Sequence, residues 1–321
     1  MPTNPDTLAT NLSGLTLRNP LILAAGTAGY IDELSGPTDL SRVGAVVTKS
    51  ITSKPREGNP TWRILETSHG MLNAIGLANV GAERFKSEYA PRVAATPTTI
   101  IGSIAEHSID GYLAVAHMFA GCEHIPAVEL NVSCPNVHGG ADFGDSPEAL
   151  ANLLREVRPA LADKKLFVKL PPIITSSRGA TIVDVARAAI DHGADALSLT
   201  NTVPAMALDV DTRAPRLANV TGGLSGPAIH PVIVRLVHLV YRNVARETNT
   251  PIIAIGGILN WRDAAEFILA GASAVQIGAA LFADPRAPHR IIRGLERWTA
   301  RERVSNIAEL TGALRLPDPR P

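Results

Sequence analysis

Two lysines of this sequence stand inside runs of apolar residues that read as buried strands. Lys169 lies in LFVKLPP (166–172), and Lys49 lies near the end of AVVTKS (45–50). A buried ammonium group must meet a partner or lose its proton. Lys169 can therefore form a Schiff base, stabilise negative charge on a cofactor, or pair with a carboxylate such as that of Glu129. Lys49 is closer to its strand end, where an anionic substrate can reach it.

The segment NVSCPNVHGG (131–140) holds one of only two cysteines in the sequence. Cys134 directly follows an apolar run, in a loop whose glycine pair lets it move, so its thiol can be presented to a pocket. The alternative is a buried cysteine that behaves as a small hydrophobic group. Cys134 and Cys122 lack CxxC spacing and no histidine has metal-ligand spacing. The sequence therefore predicts no metal site.

Glycines cluster at Gly256 and Gly257, at Gly278, and in the segment TGGLSG (221–226). The first three end the last two apolar runs, where barrel enzymes often bind a phosphate through backbone N–H groups and the start of a short helix. Glycine lets a ligand approach the backbone closely. These residues predict a phosphate-binding site, with ordinary turn glycines as the alternative.

Eight short β-rich runs must position these groups. Several are continuously apolar, as expected for parallel strands buried on both faces, and helical stretches separate them. The runs are LILAAG (21–26), AVVTKS (45–50), TTIIGS (98–103), AVELNVS (127–133), LFVKLPP (166–172), ALSLTN (196–201), PIIAIGG (251–257) and AVQIGAA (274–280). Strand and helix alternating in this way predict an α/β fold, a single (β/α)8 TIM barrel, with residues 1–321 as one domain.

The alternative fold is an open, doubly wound sheet, which needs a glycine fingerprint after an early strand. AAGTAGY (24–30) comes close to one, but no acidic residue ends a second strand at the expected distance. In a barrel, the active site lies at the carboxyl ends of the strands. Two predicted loops, GMLNAIGL (70–77) and TGGLSG (221–226), add to those ends.

Helix boundaries are marked by capping residues. Ser146 is predicted to cap a helix that has Pro147 in its first position. Two later helices are predicted to end near Gly193 and Gly271.

The composition is that of a globular protein with a small-molecule ligand. Lys plus Arg and Asp plus Glu balance at 30 each among 321 residues, so no broad field attracts nucleic acid or anionic lipid. No apolar run approaches the roughly 20 residues of a membrane span. The start, MPTNPDTLAT, lacks the pattern of a secretory signal. We therefore expect a cytoplasmic protein that binds neither nucleic acid nor membrane.

Seven segments, in order, resemble motifs of the class 1 dihydroorotate dehydrogenases, especially the 1B subgroup. They are TKSITSKPREGNP (48–60), GMLNAIGL (70–77), NVSCPNVHGG (131–140), VKLPP (168–172), NTVPAMALD (201–209), ANVTGGLSGPAI (218–229) and AIGGI (254–258). The resemblance runs from about Leu12 to Phe282. It implies a (β/α)8 barrel that binds FMN and oxidises (S)-dihydroorotate to orotate in de novo pyrimidine biosynthesis.

The resemblance also implies roles for individual residues. Cys134 would be the catalytic base that takes the proton from C5 of dihydroorotate, while C6 delivers hydride to flavin N5. Lys169 would lie beside the flavin N1 and C2 carbonyl and stabilise the charge of the reduced ring. The residues implied to bind substrate are Lys49, Met71, Asn73, Gly76, Leu77, Asn131, Asn201 and Thr202. Those implied to bind FMN are Ala25, Gly26, Lys49, Ser50, Ser103, Asn131, Lys169, Thr200, Gly222, Gly256, Gly257, Gly278 and Ala279.

Three cofactor-side positions depart from the family pattern. Ser103 stands where many members have asparagine, Ala279 where threonine is common, and Thr200 where an aliphatic residue is usual. These departures touch the cofactor side of the site and are compatible with an altered electron acceptor or substrate. Three other interpretations stay open. The chain could be a related FMN barrel acting on another dihydropyrimidine, a Schiff-base aldolase built on Lys169, or a subunit that binds flavin without catalysis.

The sequence contains neither a nucleotide fingerprint for NAD nor a four-cysteine cluster site. Electrons from a reduced flavin must therefore leave to another acceptor. In the 1B subgroup this acceptor is a second subunit that carries FAD and a 2Fe–2S cluster and reduces NAD⁺, whereas 1A members are homodimers that use fumarate. Because GMLNAIGL (70–77) resembles the 1B subgroup, we expect a homodimeric FMN core with such a partner.

Overall fold

The structure, a computed structural model, describes residues 5–133, 143–174 and 179–317. Within these ranges the strands are β1 (Thr10–Leu12), β2 (Leu15–Leu17), β3 (Leu21–Leu23), β4 (Ala45–Val47), β5 (Ile64–Thr67), β6 (Gly70–Asn73), β7 (Thr99–Ile104), β8 (Ala127–Asn131), β9 (Lys165–Leu170), β10 (Ala196–Leu199), β11 (Val203–Met206), β12 (Leu208–Asp209), β13 (Ala214–Pro215), β14 (Thr221–Ser225), β15 (Ile252–Ile255) and β16 (Ala274–Ile277). The α-helices are α1 (Ala82–Arg84), α2 (Ile109–Ala120), α3 (Pro147–Ala160), α4 (Ile182–Asp191), α5 (His230–Val240), α6 (Arg246–Thr248), α7 (Trp261–Ala270), α8 (Ala280–Ala283) and α9 (Ala287–Glu302). Short 3-10 helices span Pro5–Leu8, Leu40–Arg42, Ala90–Ala95, Phe143–Asp145, Pro227–Ile229 and Ile307–Leu310, and π-helical turns span Phe85–Tyr89 and Tyr241–Ala245.

Eight of these strands close into a parallel barrel. Their order around it is β3, β4, β7, β8, β9, β10, β15 and β16, and β16 pairs with β3 to complete the ring. These strands are the eight apolar runs of the sequence, and they follow one another around the barrel in chain order. The predicted (β/α)8 fold is confirmed. The open doubly wound sheet is wrong, because a closed barrel has no sheet edge.

Local chemistry sets the helix boundaries. At the start of α3, Ser146 Oγ accepts a hydrogen bond from Ala149 N at 3.2 Å, and Pro147 is the first helical residue. Helix α4 ends two residues before Gly193, and α7 ends with Gly271 as its C-cap. All of these predicted boundaries are confirmed. None of the helices in the described ranges has the length and apolar character to cross a membrane.

The barrel interior changes from apolar to polar along four of its strands. The apolar layer, which also packs against Leu12 and Leu17 of the hairpin β1–β2, includes Ala127, Phe167, Ala196 and Ala274. Because side chains alternate between the two faces of a strand, the next inward position lies two residues further on. Those positions hold buried polar residues, namely Glu129, Lys169, Ser198 and Gln276. The carboxyl end of the barrel therefore has a polar floor.

Two segments that we expected to be loops contain strands. GMLN forms β6 and TGGLS forms β14, and they pair antiparallel in a four-stranded sheet of order β11, β14, β6, β5. Gly70 and Gly222 permit the close approach, because a Cβ at Gly222 would lie 2.5 Å from Asn73 O and one at Gly70 would overlap Ser225 O. Glycine-rich segments resemble loops, and these partners are about 150 residues apart. Local sequence therefore could not reveal the pairing.

Candidate active site

A cavity of about 440 Å³ lies at the carboxyl ends of the barrel strands. Sites for small molecules and cofactors commonly have this size. Most of the residues that the sequence predicts to bind substrate or cofactor line the cavity. They are Ala25, Gly26, Lys49, Ser50, Met71, Asn73, Gly76, Leu77, Asn131, Lys169, Thr200, Asn201, Thr202, Gly256, Gly257, Gly278 and Ala279. The fold thus gathers them at one site, while the ligand that each of them binds stays a prediction.

Two predicted cofactor residues, Ser103 and Gly222, do not line the cavity. Ser103 is fully buried, and its Oγ lies 2.9 Å from Oγ of Ser50, which does line the cavity. Gly222 lies inside β14, where its missing side chain makes room for the neighbouring strand. The cavity is lined instead by Ser225 and Gly226 of the same segment. The sequence indicated the correct segment but not the residue that reaches the cavity.

The predicted catalytic base, Cys134, lies outside the described residues. Ser133, the residue before it, is 2% exposed, and its Oγ donates to Asn131 Oδ1 at 3.2 Å. The carbonyl oxygen of Ser133 accepts a hydrogen bond from Asn201 Nδ2 at 2.7 Å. Both asparagines line the cavity. The chain is therefore attached to the cavity wall one residue before Cys134.

Asn131 and Asn201 form a fixed pair of amides on this wall. Asn201 Nδ2 lies 3.3 Å from Asn131 Oδ1, and Asn201 Oδ1 accepts from Thr202 N at 2.8 Å. Tyr112 donates its hydroxyl hydrogen to Asn131 O at 2.8 Å. Asn73 adds a third amide from β6. Since each amide offers both donors and acceptors, the group can recognise a ring with alternating N–H and C=O groups.

Two cations, Lys49 and Arg63, face the same cavity. Burial, and then the nearby positive charge of Arg63, lowers the pKa of the Lys49 ammonium group. Arg63 Nη1 donates to the backbone oxygens of Glu57 and Asn59, at 3.0 and 3.2 Å. Among the residues that the structure describes, neither cation has an ion-pair partner. Both charges are therefore available to an anionic ligand.

Glycines form another part of the wall. Gly257 has a φ of +66°, and a Cβ there would lie 2.6 Å from Gly226 O and 2.9 Å from His230 Cβ. His230 Nδ1 lies 2.9 Å from Gly256 O and so helps to hold this turn. At Gly278 a Cβ would meet no protein atom closer than 3.5 Å, so its absence leaves space on the cavity side. The space at Gly278 lets a phosphate group approach the backbone closely.

Gly257→Ala is expected to lower the free energy of unfolding by about 2–5 kcal/mol. A positive φ costs an L-residue about 1–2 kcal/mol, and the forced close contact adds about 1–3 kcal/mol. Gly179→Ala is the matched control, because Gly179 has a φ of +71° but nothing within 4 Å of a Cβ. Urea unfolding of both variants measures the difference. Equal losses would contradict the close approach of Gly257 to Gly226.

Lys169 both forms an ion pair with Glu129 and lines the cavity, and the sequence raised each of these possibilities. Its Nζ lies 3.6 Å from Glu129 Oε1, so the predicted ion pair is present. The same lysine lines the cavity, although its side chain is only 8% exposed. A Schiff base needs the amine as a free nucleophile, and here Nζ lies against the carboxylate of Glu129, so this arrangement does not favour the Schiff-base alternative.

Two residues that line the cavity, Gln276 and Arg63, were not predicted from the sequence. Gln276 lines the cavity and is 1% exposed, and a polar residue inside the apolar run AVQIGAA (274–280) is the same indication that singled out Lys169. Arg63 carries no comparable local indication, because it lies in a polar stretch before β5. In the described ranges, no group of three or more His, Cys, Asp or Glu side chains could hold a metal ion.

The fold and the site define a class of protein, a (β/α)8 barrel enzyme. Its cavity combines the amides of Asn73, Asn131 and Asn201, two cations that have no ion-pair partner among the described residues, and a glycine cradle formed by Gly256, Gly257 and Gly278. A family model described as dihydroorotate dehydrogenase matches residues 7–298. The chain belongs to the dihydroorotate dehydrogenase family and is an oxidoreductase. The family resemblance predicted from the seven motifs is confirmed.

Curated relatives match along nearly the whole chain. The protein from Geobacter sulfurreducens is 45% identical over 313 residues, which cover 97% of this chain and 99% of the relative. That from Trichlorobacter lovleyi is 46% identical over 308 residues, covering 96% and 98%, and that from Pelobacter propionicus is 47% identical over 311 residues, covering 97% and 99%. All three are named dihydroorotate dehydrogenase B (NAD⁺), catalytic subunit. The predicted similarity to the 1B subgroup is therefore also confirmed.

Proposed function

We propose that this chain oxidises (S)-dihydroorotate to orotate in pyrimidine biosynthesis, with FMN bound at the carboxyl ends of the barrel strands. One observation carries this proposal. In a chain of this family, a single cavity brings Lys49, Asn131 and Asn201 together with Lys169 and the glycine cradle. The first three suit a small ring that carries a carboxylate, and the others suit a flavin with a phosphate.

The described residues fit FMN. Gly257 and Gly278 line the cavity, the missing Cβ of Gly278 leaves space for a phosphate group, and Lys169 supplies a positive charge at the floor. Gln276 Oε1 is buried without a hydrogen-bond partner among the described residues, so a donor group of a bound ligand would satisfy it. When bound, FMN supplies the acceptor for the hydride that leaves C6 of dihydroorotate.

The chain's own residues bind the substrate and move its proton. Lys49 and Arg63 attract the substrate carboxylate, and the amides of Asn131 and Asn201 bind the polar edges of the ring. Fixing the ring in this way lowers the entropic cost of reaching the reactive geometry. Cys134, by the family resemblance, is the general base that removes the proton from C5.

Electrons then pass to a partner subunit that carries FAD and a 2Fe–2S cluster and reduces NAD⁺. The catalytic core is a cytoplasmic homodimer. The names of the relatives, which specify NAD⁺ and a catalytic subunit, support the partner. Leu259 and Phe282 at the cavity rim are 41% and 56% exposed, which offers apolar surface to a protein that covers the rim. Met206, Leu208 and Val210 are also exposed and offer apolar surface to a second copy.

An anaerobic absorbance titration tests this function. We expect the purified protein to show flavin bands that dihydroorotate bleaches quickly, and FMN to be the flavin released on denaturation. Dihydrouracil, which lacks the carboxylate, is the matched control and is expected to bleach the bands far more slowly. Faster bleaching by dihydrouracil would favour the related dihydropyrimidine enzyme, and a well-folded protein without flavin bands would contradict the proposal.

A further inference from the structure

Glu129 is the fully buried carboxylate of the polar floor, and it does not line the cavity. Its Oε2 accepts hydrogen bonds from Ser198 Oγ and Gln276 Nε2, both at 2.7 Å. Its Oε1 accepts no hydrogen bond from the described residues, but Lys169 Nζ lies 3.6 Å away. One oxygen is thus fixed by two neutral donors, and the other faces the lysine.

The barrel register explains this arrangement. Ser198 on β10 is paired with Lys169 on β9, and Asn131 on β8 is paired with the same lysine. Glu129 lies two residues before Asn131, so all these side chains point into the barrel. Burying two opposite charges costs free energy that their attraction offsets only in a well-ordered geometry. Ser198 and Gln276, the two neutral donors, fix the position of the Glu129 carboxylate and so provide this geometry.

The separation of Lys169 from Glu129 leaves the lysine available to the cavity. A distance of 3.6 Å is short enough for an ion pair but longer than a hydrogen bond. The ammonium group is therefore attracted toward Oε1 while its N–H groups can still reach a ligand. Lys169 lines the cavity, and Glu129 does not. The carboxylate thus restrains the ammonium group and offsets part of its charge.

We infer that Glu129 is the counter-charge to Lys169, and that the two residues together set the reduction potential of the bound flavin. This role rests on the proposed function, because it requires a flavin in the cavity. Reduction adds negative charge to the flavin ring, so a nearby positive charge favours the reduced form and a nearby negative charge opposes it. With Glu129 in place, Lys169 favours reduction less than an unrestrained ammonium group would.

Glu129→Gln shifts this balance toward the reduced flavin, whose negative charge then takes the place of Glu129 as the partner of the Lys169 ammonium group. The substitution removes a negative charge, while the amide oxygen can still accept hydrogen bonds from Ser198 and Gln276. The amide nitrogen would then face Lys169 and repel its ammonium group toward the cavity. Both effects make the cavity more positive. Lys169→Gln removes a positive charge and acts in the opposite direction.

Spectroelectrochemical titration of the purified flavoprotein measures the midpoint potential of each variant. We expect Glu129→Gln to favour the reduced flavin about tenfold, which for a two-electron couple raises the potential by about 30 mV. Lys169→Gln is expected to lower the potential. The matched control is Asp195→Asn, which removes the carboxylate paired with Lys165, Nζ to Oδ1 3.3 Å, at the start of β9. This control is expected to leave the potential unchanged.

A Glu129→Gln protein whose potential is equal to or below that of the unchanged protein would overturn the counter-charge role. A carboxylate that only supports the fold would change stability and not the potential. Because breaking a buried ion pair can prevent folding, the double variant Glu129→Gln/Lys169→Gln is a second measurement. Its potential is expected to lie above that of Lys169→Gln alone, and equal values would also overturn the role.

Failure of the proposed function would look different. An unchanged protein without flavin bands, or with bands that dihydroorotate does not bleach, would contradict the proposed function before any variant is made. A flavoprotein that dihydroorotate bleaches, but whose potential does not respond to Glu129, would contradict only the counter-charge role.

Discussion

Replacing Cys134 by alanine is expected to slow the reduction of bound flavin by dihydroorotate about 10²–10⁴-fold. A positioned general base contributes a factor of this size, and alanine has no group that can accept the C5 proton. The affinity for orotate should change little, because the product needs no proton removed. Anaerobic stopped-flow measurement of flavin bleaching gives the rate, and fluorescence or absorbance titration with orotate gives the affinity.

The other cysteine of the chain provides the matched control. Cys122 is buried, and its Sγ contacts Met118 O at 3.4 Å on the helix side of the barrel wall. Cys122→Ala should leave the bleaching rate unchanged. Cys134→Ser should retain a hydroxyl that is a much weaker base, so its rate should be low and should rise with pH. A Cys134→Ala protein that bleaches at the full rate would exclude Cys134 as the base.

The barrel could be predicted because its evidence is local. Parallel strands buried on both faces require continuous apolar runs, and eight such runs separated by helical stretches leave few alternatives. The sequence contains no comparable local pattern for the sheet formed by β5, β6, β11 and β14. Its strands are short and partly exposed, β6 and β14 contain glycine, and the pairing of these two depends on contacts between segments far apart in the chain.

The barrel fold predicts where the site lies, but it does not predict which side chain of each segment lines the cavity. Because active sites of barrels lie at the carboxyl ends of the strands, polar residues there identified Lys49, Asn131 and Lys169 correctly as cavity residues. The rule does not say which residue of a segment points into the cavity. Ser103 is turned toward Ser50, and in the segment 221–226 the last glycine, not the second residue, lines the cavity. Side-chain direction at these positions follows from tertiary packing.

Lys49→Ala is expected to lower kcat/KM for dihydroorotate by about 30-fold to several thousand-fold. Removing one partner of a close charge pair in a desolvated site costs about 2–5 kcal/mol, and each 1.4 kcal/mol is a factor of ten. Turnover of dihydrouracil, which has no carboxylate, should change far less. Lys165→Ala, at the other end of the barrel, should affect neither substrate. Equal losses with both substrates would mean that Lys49 does not bind the carboxylate.

The neighbourhood of Lys49 also predicts how this binding depends on pH. Burial and the charge of Arg63 lower the pKa of the Lys49 ammonium group, so it loses its charge at a lower pH than an ordinary lysine. Binding of the carboxylate needs the charged form, and kcat/KM for dihydroorotate should therefore fall as the pH rises through that lowered pKa. Arg63→Gln removes one of the two causes, which raises the pKa and should move the alkaline fall to higher pH.

The pH profile of Arg63→Gln separates this effect from a direct contact between Arg63 and the substrate. A direct contact would lower kcat/KM at every pH, whereas the charge effect moves the midpoint of the alkaline fall. Arg18→Gln is the matched control, because Arg18 likewise donates to a backbone oxygen, Nη2 to Pro97 O at 3.0 Å, but does not line the cavity. An alkaline midpoint that stays the same in Arg63→Gln would mean that Lys49 does not carry the pH dependence.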